Sequence, residues 1–130
     1  MNNLLVIDDD PICHKILHFM MAKYCKFNLI HSYDACKVLQ FLNDNKTNTE
    51  ALPDIIFVDL NMPETDGWQF LDGFGGLRSC FKKPIDVYVI SSSVDPHDLK
   101  HVKEYGFVKS YIIKPITKDK ILEISEMYRN

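Results

Sequence analysis

The sequence predicts an α/β fold: a doubly wound, five-stranded parallel sheet in the order 2-1-3-4-5, with helices on both faces. Three observations carry this reading. Short apolar runs recur at residues 4–7, 27–30, 55–58, 87–90 and 111–113, each of the length and composition of a buried strand. Between them lie segments whose apolar residues fall at helical spacing, and alternating strand and helix signals call for a parallel sheet covered on both sides. Polar residues then gather just beyond the runs, where the carboxyl ends of the strands would be.

The first run leads into Asp8, Asp9 and Asp10. Asp10 before Pro11 places a capping acceptor ahead of a proline at the first helical position, and Ile12, Ile16 and Met20 mark the expected core stripe of the first helix. After the second strand, Ala35, Val38, Leu39 and Leu42 mark the second helix. The polar segment 43–53 reads as a surface loop, because the strand after it is needed to complete the sheet. The third strand ends in Asp59. The third helix is the weak element: Gly73, Gly75 and Gly76 each cost about 1 kcal/mol relative to alanine in a helix interior, so it is expected to end near Phe74. The fourth strand finishes in Ser91, Ser92 and Ser93. Asp95 caps a helix begun by Pro96, and Gly106 is placed to stop that helix in the left-handed conformation. The fifth strand ends in Lys114, and Thr117 can cap a last helix running almost to Asn130. Residues 1–130 are therefore expected to form one domain, with its output delivered in trans.

Composition narrows the function classes. With 46% hydrophobic and 25% charged residues the chain is ordinary globular protein. A net charge of -3 offers no broad attraction to phosphate backbones, so the expected partner is another protein, not nucleic acid. Cys13, Cys25, Cys36 and Cys80 form no CxxC pair and read as reduced thiols, most of them small core residues. No stretch approaches the roughly 18 apolar residues of a membrane span, and the N-terminus lacks a signal-peptide pattern. The expectation is a soluble, cytoplasmic protein that does not act on a membrane.

If strands one and three are neighbours, Asp8, Asp9 and Asp59 converge. Two carboxylates about 4 Å apart disfavour each other by about 4 kcal/mol at an effective dielectric of about 20, so a cation must offset them. Mg²⁺ suits an all-oxygen site that also receives phosphate, and Lys114 supplies a second positive centre. A carboxylate in this setting can be a nucleophile toward phosphorus, with a strand-four hydroxyl donating a hydrogen bond.

The segments LLVIDDDP (4–11), IIFVDLNMPETDGW (55–68), VYVISSS (87–93) and YIIKP (111–115) resemble the four signature regions of bacterial response-regulator receiver domains, in order and at the right spacing. The resemblance implies a flavodoxin-like (βα)5 fold acting as a stand-alone, chemotaxis-regulator-like switch in a two-component system, with Asp59 as phosphoacceptor. It implies that Asp8, Asp9, Asp59 and the backbone carbonyl of Asn61 hold Mg²⁺, that Lys114 contacts the phosphoryl oxygens, and that Ser91 and Tyr111 are the switch residues. Asn61 and Ser93 occupy positions that tune autodephosphorylation, and Lys114–Pro115 would be cis. A histidine kinase or phosphotransfer protein would be the phosphoryl donor. The face of helix four, strand five and helix five would read out the state to a downstream protein, as a monomer or a phosphorylation-dependent dimer. Three features depart from the family: Ser91 stands where many members carry threonine, Ser92 where a small alanine or glycine is common, and the third helix is glycine-rich.

Other readings are weaker on specific residues. A haloacid-dehalogenase-type phosphatase needs a second acid two residues after its nucleophile, and here that position is Asn61; the chain is therefore read as no enzyme beyond its own phosphoryl transfer and dephosphorylation. A degenerate receiver would lack an acid, hydroxyl or lysine, and all are present. No GxGxxG or GxxxxGK[ST] loop supports a nucleotide site. His14 with His18, and His97 with His101, have the i, i+4 spacing of helix-borne metal ligands, but no third ligand is evident and both pairs read as structural. Trp68 lies near the expected site, either packed or placed to report on metal binding.

Overall fold

Five strands pair side by side, all parallel, in the order β2-β1-β3-β4-β5. The computed structural model describes residues 2–24, 27–62 and 67–128. Cys25 and residues 63–66 of the second signature segment lie outside the described residues. The elements are β1 (Asn3–Ile7), α1 (Pro11–Tyr24), β2 (Asn28–Ser32), α2 (Ala35–Asp44), β3 (Ile55–Asp59), α3 (Gly67–Leu77), β4 (Asp86–Ser91), α4 (Pro96–Val102), β5 (Val108–Ile113) and α5 (Lys118–Met127).

Side chains alternate across a strand, and that alternation divides the core in two. Leu5, Ile7, Ile56, Val58, Val87 and Val89 meet Ala35, Val38 and Leu42 of α2, Phe70, Leu71 and Phe74 of α3, and Val102 of α4. Leu4, Val6, Ile55, Phe57, Tyr88 and Ile90 meet Leu17 and Met21 of α1 and Ile121 and Ile124 of α5 on the other face. Both faces of β1, β3 and β4 are thereby covered, which is why these strands read as unbroken apolar runs.

The helix starts follow the sequence. The Asp10 carboxylate accepts from the Ile12 amide at 2.9 Å, Asp95 accepts from His97 at 2.9 Å, and Thr117 accepts from Lys120 at 3.2 Å. Asp34 caps α2 in the same way, taking the amides of Cys36 and Lys37; an acid directly before Ala35 is the sequence signal for this cap.

Several expectations are corrected. The buried stripe of α1 is His14, Leu17 and Met21, while Ile12 and Ile16 are 64% and 44% exposed. This helix is apolar on more than one face, so periodicity alone could not orient it. The second strand is Asn28–Ser32 and is not fully buried, because as an edge strand it is paired on one side only. The third helix does not stop at Phe74 but runs to Leu77, followed by a 3₁₀ turn at Arg78–Cys80. Packing of Phe70, Leu71 and Phe74 overrides the glycine cost, and Gly73 lets α2 come close: a Cβ there would lie 2.8 Å from a Leu39 methyl. Helix α4 ends at Val102, short of Gly106, in a turn closed by Lys103, Glu104 and Tyr105 amides on carbonyls three residues back. Among the described glycines none has a positive φ, so Gly106 is not a left-handed cap. The segment 43–53 is not wholly surface loop, since Asn43 and Asp44 belong to α2 and Leu52 is fully buried. Cys36 and Cys80 are exposed and Cys13 is partly buried, contrary to a core role for most of the thiols. No described helix is long and apolar enough to cross a membrane.

Candidate phosphoacceptor and metal site

The sheet register builds the site. Ile7 pairs with Val58, so the residues that follow them, Asp8 and Asp59, emerge side by side. Asp59 in turn pairs with Ile90, and Ser91 with Ile113, which brings the β4 hydroxyl and then Lys114 to the same end of the sheet. The chain leaves β1 toward β2 and leaves β3 toward β4, and an open sheet has its crevice where the crossovers part in this way.

Asp8 is fully buried and Asp59 is 4% exposed, whereas Asp9 lies at the surface. One carboxylate oxygen from each lies within 4.8 Å of the others. Lys114 Nζ is 2.7 Å from Asp8 Oδ2 and 3.5 Å from Asp59 Oδ2. The Asp10 amide donates to Asp8 Oδ1 at 2.9 Å, and the Asn61 amide donates to Asp59 Oδ1 at 3.3 Å. Among the described residues the donors are all hard oxygens, and one lysine faces three carboxylates. That residual negative charge fits a small divalent cation such as Mg²⁺.

Burial works against ionisation of Asp8, but the Lys114 hydrogen bond, helped by Asp10 and Cys13, holds this carboxyl below its ordinary range. Asp59 goes the other way: burial, joined by the Asp8 charge and only partly opposed by Lys114, pushes it up to about 6. Burial, then the hydrogen bond to Asp8 and its charge, push the neighbouring Cys13 thiol up to about 12, leaving it an inert wall of the site. Sequence reasoning did not place Cys13 here; its position one helical turn past the acids was the available signal.

A stability profile follows from these shifts. A raised folded-state carboxyl means the folded protein holds its proton over a window where the unfolded chain has lost it, so stability falls as pH rises through that window. For Asp59 the window runs from 3.8 to about 6. Asp8 contributes the opposite slope, but only as pH falls below 3.8. Metal-free protein is therefore expected to lose on the order of 2 kcal/mol between about pH 4 and pH 6.5, read from urea midpoints, and excess Mg²⁺ is expected to flatten the slope. A rise across that window would contradict the burial of Asp59.

Ser91 is fully buried. Its Oγ accepts from Asn61 Nδ2 at 3.3 Å and from the Ser93 amide at 3.1 Å. The Ser93 hydroxyl is directed at α4, donating to Asp98 at 2.7 Å and accepting from the Asp95 amide at 3.2 Å. Tyr111 is half-buried and its hydroxyl donates to the Ser93 carbonyl at 3.0 Å. One chain of bonds thus runs from Asn61 through Ser91 and the β4–α4 loop to β5. The Lys114–Pro115 bond is cis. Trp68 stacks on His101 with ring centroids 4.1 Å apart, so that tryptophan and the second histidine pair belong to an α3–α4 aromatic contact. A cleft of about 280 Å³ opens beside Lys114, lined by Ile12, Ile16, Ser92 and Pro115 among others.

Residues 4–126 match the family model of the response regulator receiver domain, and the chain belongs to that family. Its curated relatives are two-component response regulators. The Arabidopsis thaliana regulator ARR11 is 33% identical over 87% of this chain and 20% of its own length; the Oryza sativa regulator ORR1 is 27% identical over 87% of this chain and 49% of its own length. The chain thus spans less than half of these relatives. A two-component response regulator from Cytophaga hutchinsonii superposes with a TM-score of 0.83 at 25% identity, covering 96% of this chain and 94% of that one. The Vibrio cholerae chemotaxis protein CheY4 shares the fold, with a TM-score of 0.74 at 19% identity, covering 98% of both chains.

Proposed function

We propose that this chain is a phosphorylation switch in which Asp59 accepts a phosphoryl group in a Mg²⁺-dependent reaction. The observation that supports it most is the convergence of Asp8, Asp9 and Asp59 within 4.8 Å, with Lys114 Nζ 3.5 Å from Asp59. Asp8, Asp9, Asp59 and the Asn61 carbonyl are the groups that would hold the ion, whose charge would neutralise phosphoryl oxygens. An Asp59 oxygen forms the new bond to phosphorus as the bond to the donor breaks; from a histidine kinase or phosphotransfer protein, that is a P–N bond, and the departing imidazole keeps the electron pair. Asp59 needs no general base, because at pH 7 a carboxyl near 6 is mostly ionised. Lys114 meets the phosphoryl oxygens as a point charge. The Ser91 oxygen is already held by two donors, so its proton is the part it offers to a phosphoryl oxygen.

Drawing Ser91 toward the phosphoryl group would pull on the Asn61 and Ser93 contacts, and through Ser93 on Asp98 and Tyr111. Phosphorylation would thereby shift a pre-existing equilibrium of the α4–β5–α5 face, read by a downstream protein in the cytoplasm. Asn61 and Ser93, both bonded to Ser91, are the proposed determinants of how long the phosphoryl group persists. Residues 1–130 act in this reading as one receiver domain, whose own phosphoryl transfer and hydrolysis are its only catalysis.

Acetyl phosphate with Mg²⁺ is expected to add one phosphoryl mass, and chelation of the metal to prevent it. Beryllofluoride with Mg²⁺ is expected to shift amide resonances of α4, β5 and α5. Labelling that is indifferent to chelation, or shifts confined to other elements, would reject the proposal.

A further inference from the structure

Three histidines gather where α1 packs beside β2, on the far side of the Asp8 backbone from the acidic pocket. We propose that His14, His18 and His31 form a second metal site, taking a transition-metal dication of the zinc class.

His14 is 3% exposed, and its Nε2 lies 2.7 Å from the Asp8 carbonyl oxygen. A carbonyl oxygen can only accept, so Nε2 carries a proton. In the neutral ring Nδ1 is then a bare lone pair. That lone pair faces His31 Nδ1 at 2.6 Å. Metal-bound histidines commonly donate their second ring N–H to a backbone carbonyl, which fixes tautomer and orientation; His14 has that arrangement before any ion arrives. His18 stands one turn along α1, exposed, with its ring centroid 6.1 Å from that of His31. The i, i+4 pair noted in the sequence thus gains its missing third member from the neighbouring strand.

Between His14 and His31, little movement is needed to admit an ion. Two nitrogens at about 2.0–2.1 Å from a tetrahedral zinc lie about 3.3 Å apart, so the His14–His31 contact must open by well under the width of an atom. His31 sits on the exposed edge strand and can rotate, moving its proton to Nε2, and the exposed His18 ring can swing to the third position. The Tyr33 ring packs against His14 with centroids 4.4 Å apart, closing one side. All three donors are imidazole nitrogens, which select zinc, copper or nickel over magnesium, whereas the Asp8–Asp9–Asp59 pocket offers only oxygen. Excess Mg²⁺ would therefore not displace an ion from the imidazoles, and the proposal does not depend on the phosphorylation reading.

The test is calorimetric titration of the intact chain with Zn²⁺ in the presence of excess Mg²⁺, beside His18→Gln and His31→Gln, both surface changes. One saturable equivalent is expected for wild type, weakened at least about tenfold in each variant, with movement of the His14, His18 and His31 ring nitrogen resonances as zinc is added. Zinc binding of equal strength in all three proteins, no saturable binding, or unmoved ring resonances would overturn the site and leave His14–His31 as a simple hydrogen bond.

Discussion

Asp59→Asn is expected to reduce acetyl phosphate labelling to background while leaving the fold intact. The amide has nearly the shape of the carboxyl, but its oxygen is neutral and its nitrogen carries no available lone pair, so it cannot attack phosphorus. Stability is expected to hold or rise at pH 7, because burial disfavours the ionised Asp59 that this change removes. That combination separates the phosphoacceptor role from a structural one: an acid needed for folding would give a destabilised protein, whereas a nucleophile gives a sound but silent one. Intact mass after incubation with acetyl phosphate and Mg²⁺, together with a urea midpoint, reads both. Asp8 is the control for misassignment. It is fully buried, but Lys114 and the Asp10 amide already occupy its oxygens, which makes it a poor nucleophile beside Asp59. Equal labelling of Asp59→Asn, traced by peptide mapping to Asp8 or Asp9, would move the reaction to another residue.

The site was more legible in the sequence than the packing around it. Asp8, Asp59, Ser91 and Lys114 each follow an apolar run, and in a parallel sheet strand ends are placed by register, so the type of residue and its position in the run were enough to bring them together. What escaped depended on rotation about a helix axis. Helix α1 is apolar at Ile12, Ile16 and Phe19 as well as at Leu17 and Met21, and only contact with the sheet decides which set is buried. The same rotation carries Cys13 toward Asp8 and turns His14 inward to the Asp8 carbonyl, neither of which periodicity could reveal. Local propensity misjudged α3 because it counted each glycine as a loss. Gly73 and Gly75 lie against Leu39 and Phe107, so the absent side chain is where a neighbour sits.

Gly67 shows this most sharply, and Gly67→Ala is expected to be the most damaging of the glycine-to-alanine changes. Its φ is not in the left-handed region, so the constraint is space alone. A Cβ there would lie 2.3 Å from the Asp59 carbonyl oxygen, 2.7 Å from Leu60 Cα and 2.9 Å from the Asp59 carbonyl carbon. All three are backbone atoms, and no rotamer change can move them aside. The Gly67 amide also donates to the Leu60 carbonyl at 3.0 Å, fixing the start of α3 against the end of β3. Relief requires α3 to withdraw or β3 to bend, either of which pulls Phe70 and Leu71 from the core and displaces the strand end that carries Asp59. A loss of about 3 kcal/mol or more is expected, at the upper end for overpacking. Gly76→Ala in the same helix meets nothing within 4 Å and is expected to stabilise by about 0.5–1 kcal/mol. Urea midpoints that rise in both variants would mean that helix propensity, not the close approach of α3 to Asp59, governs Gly67.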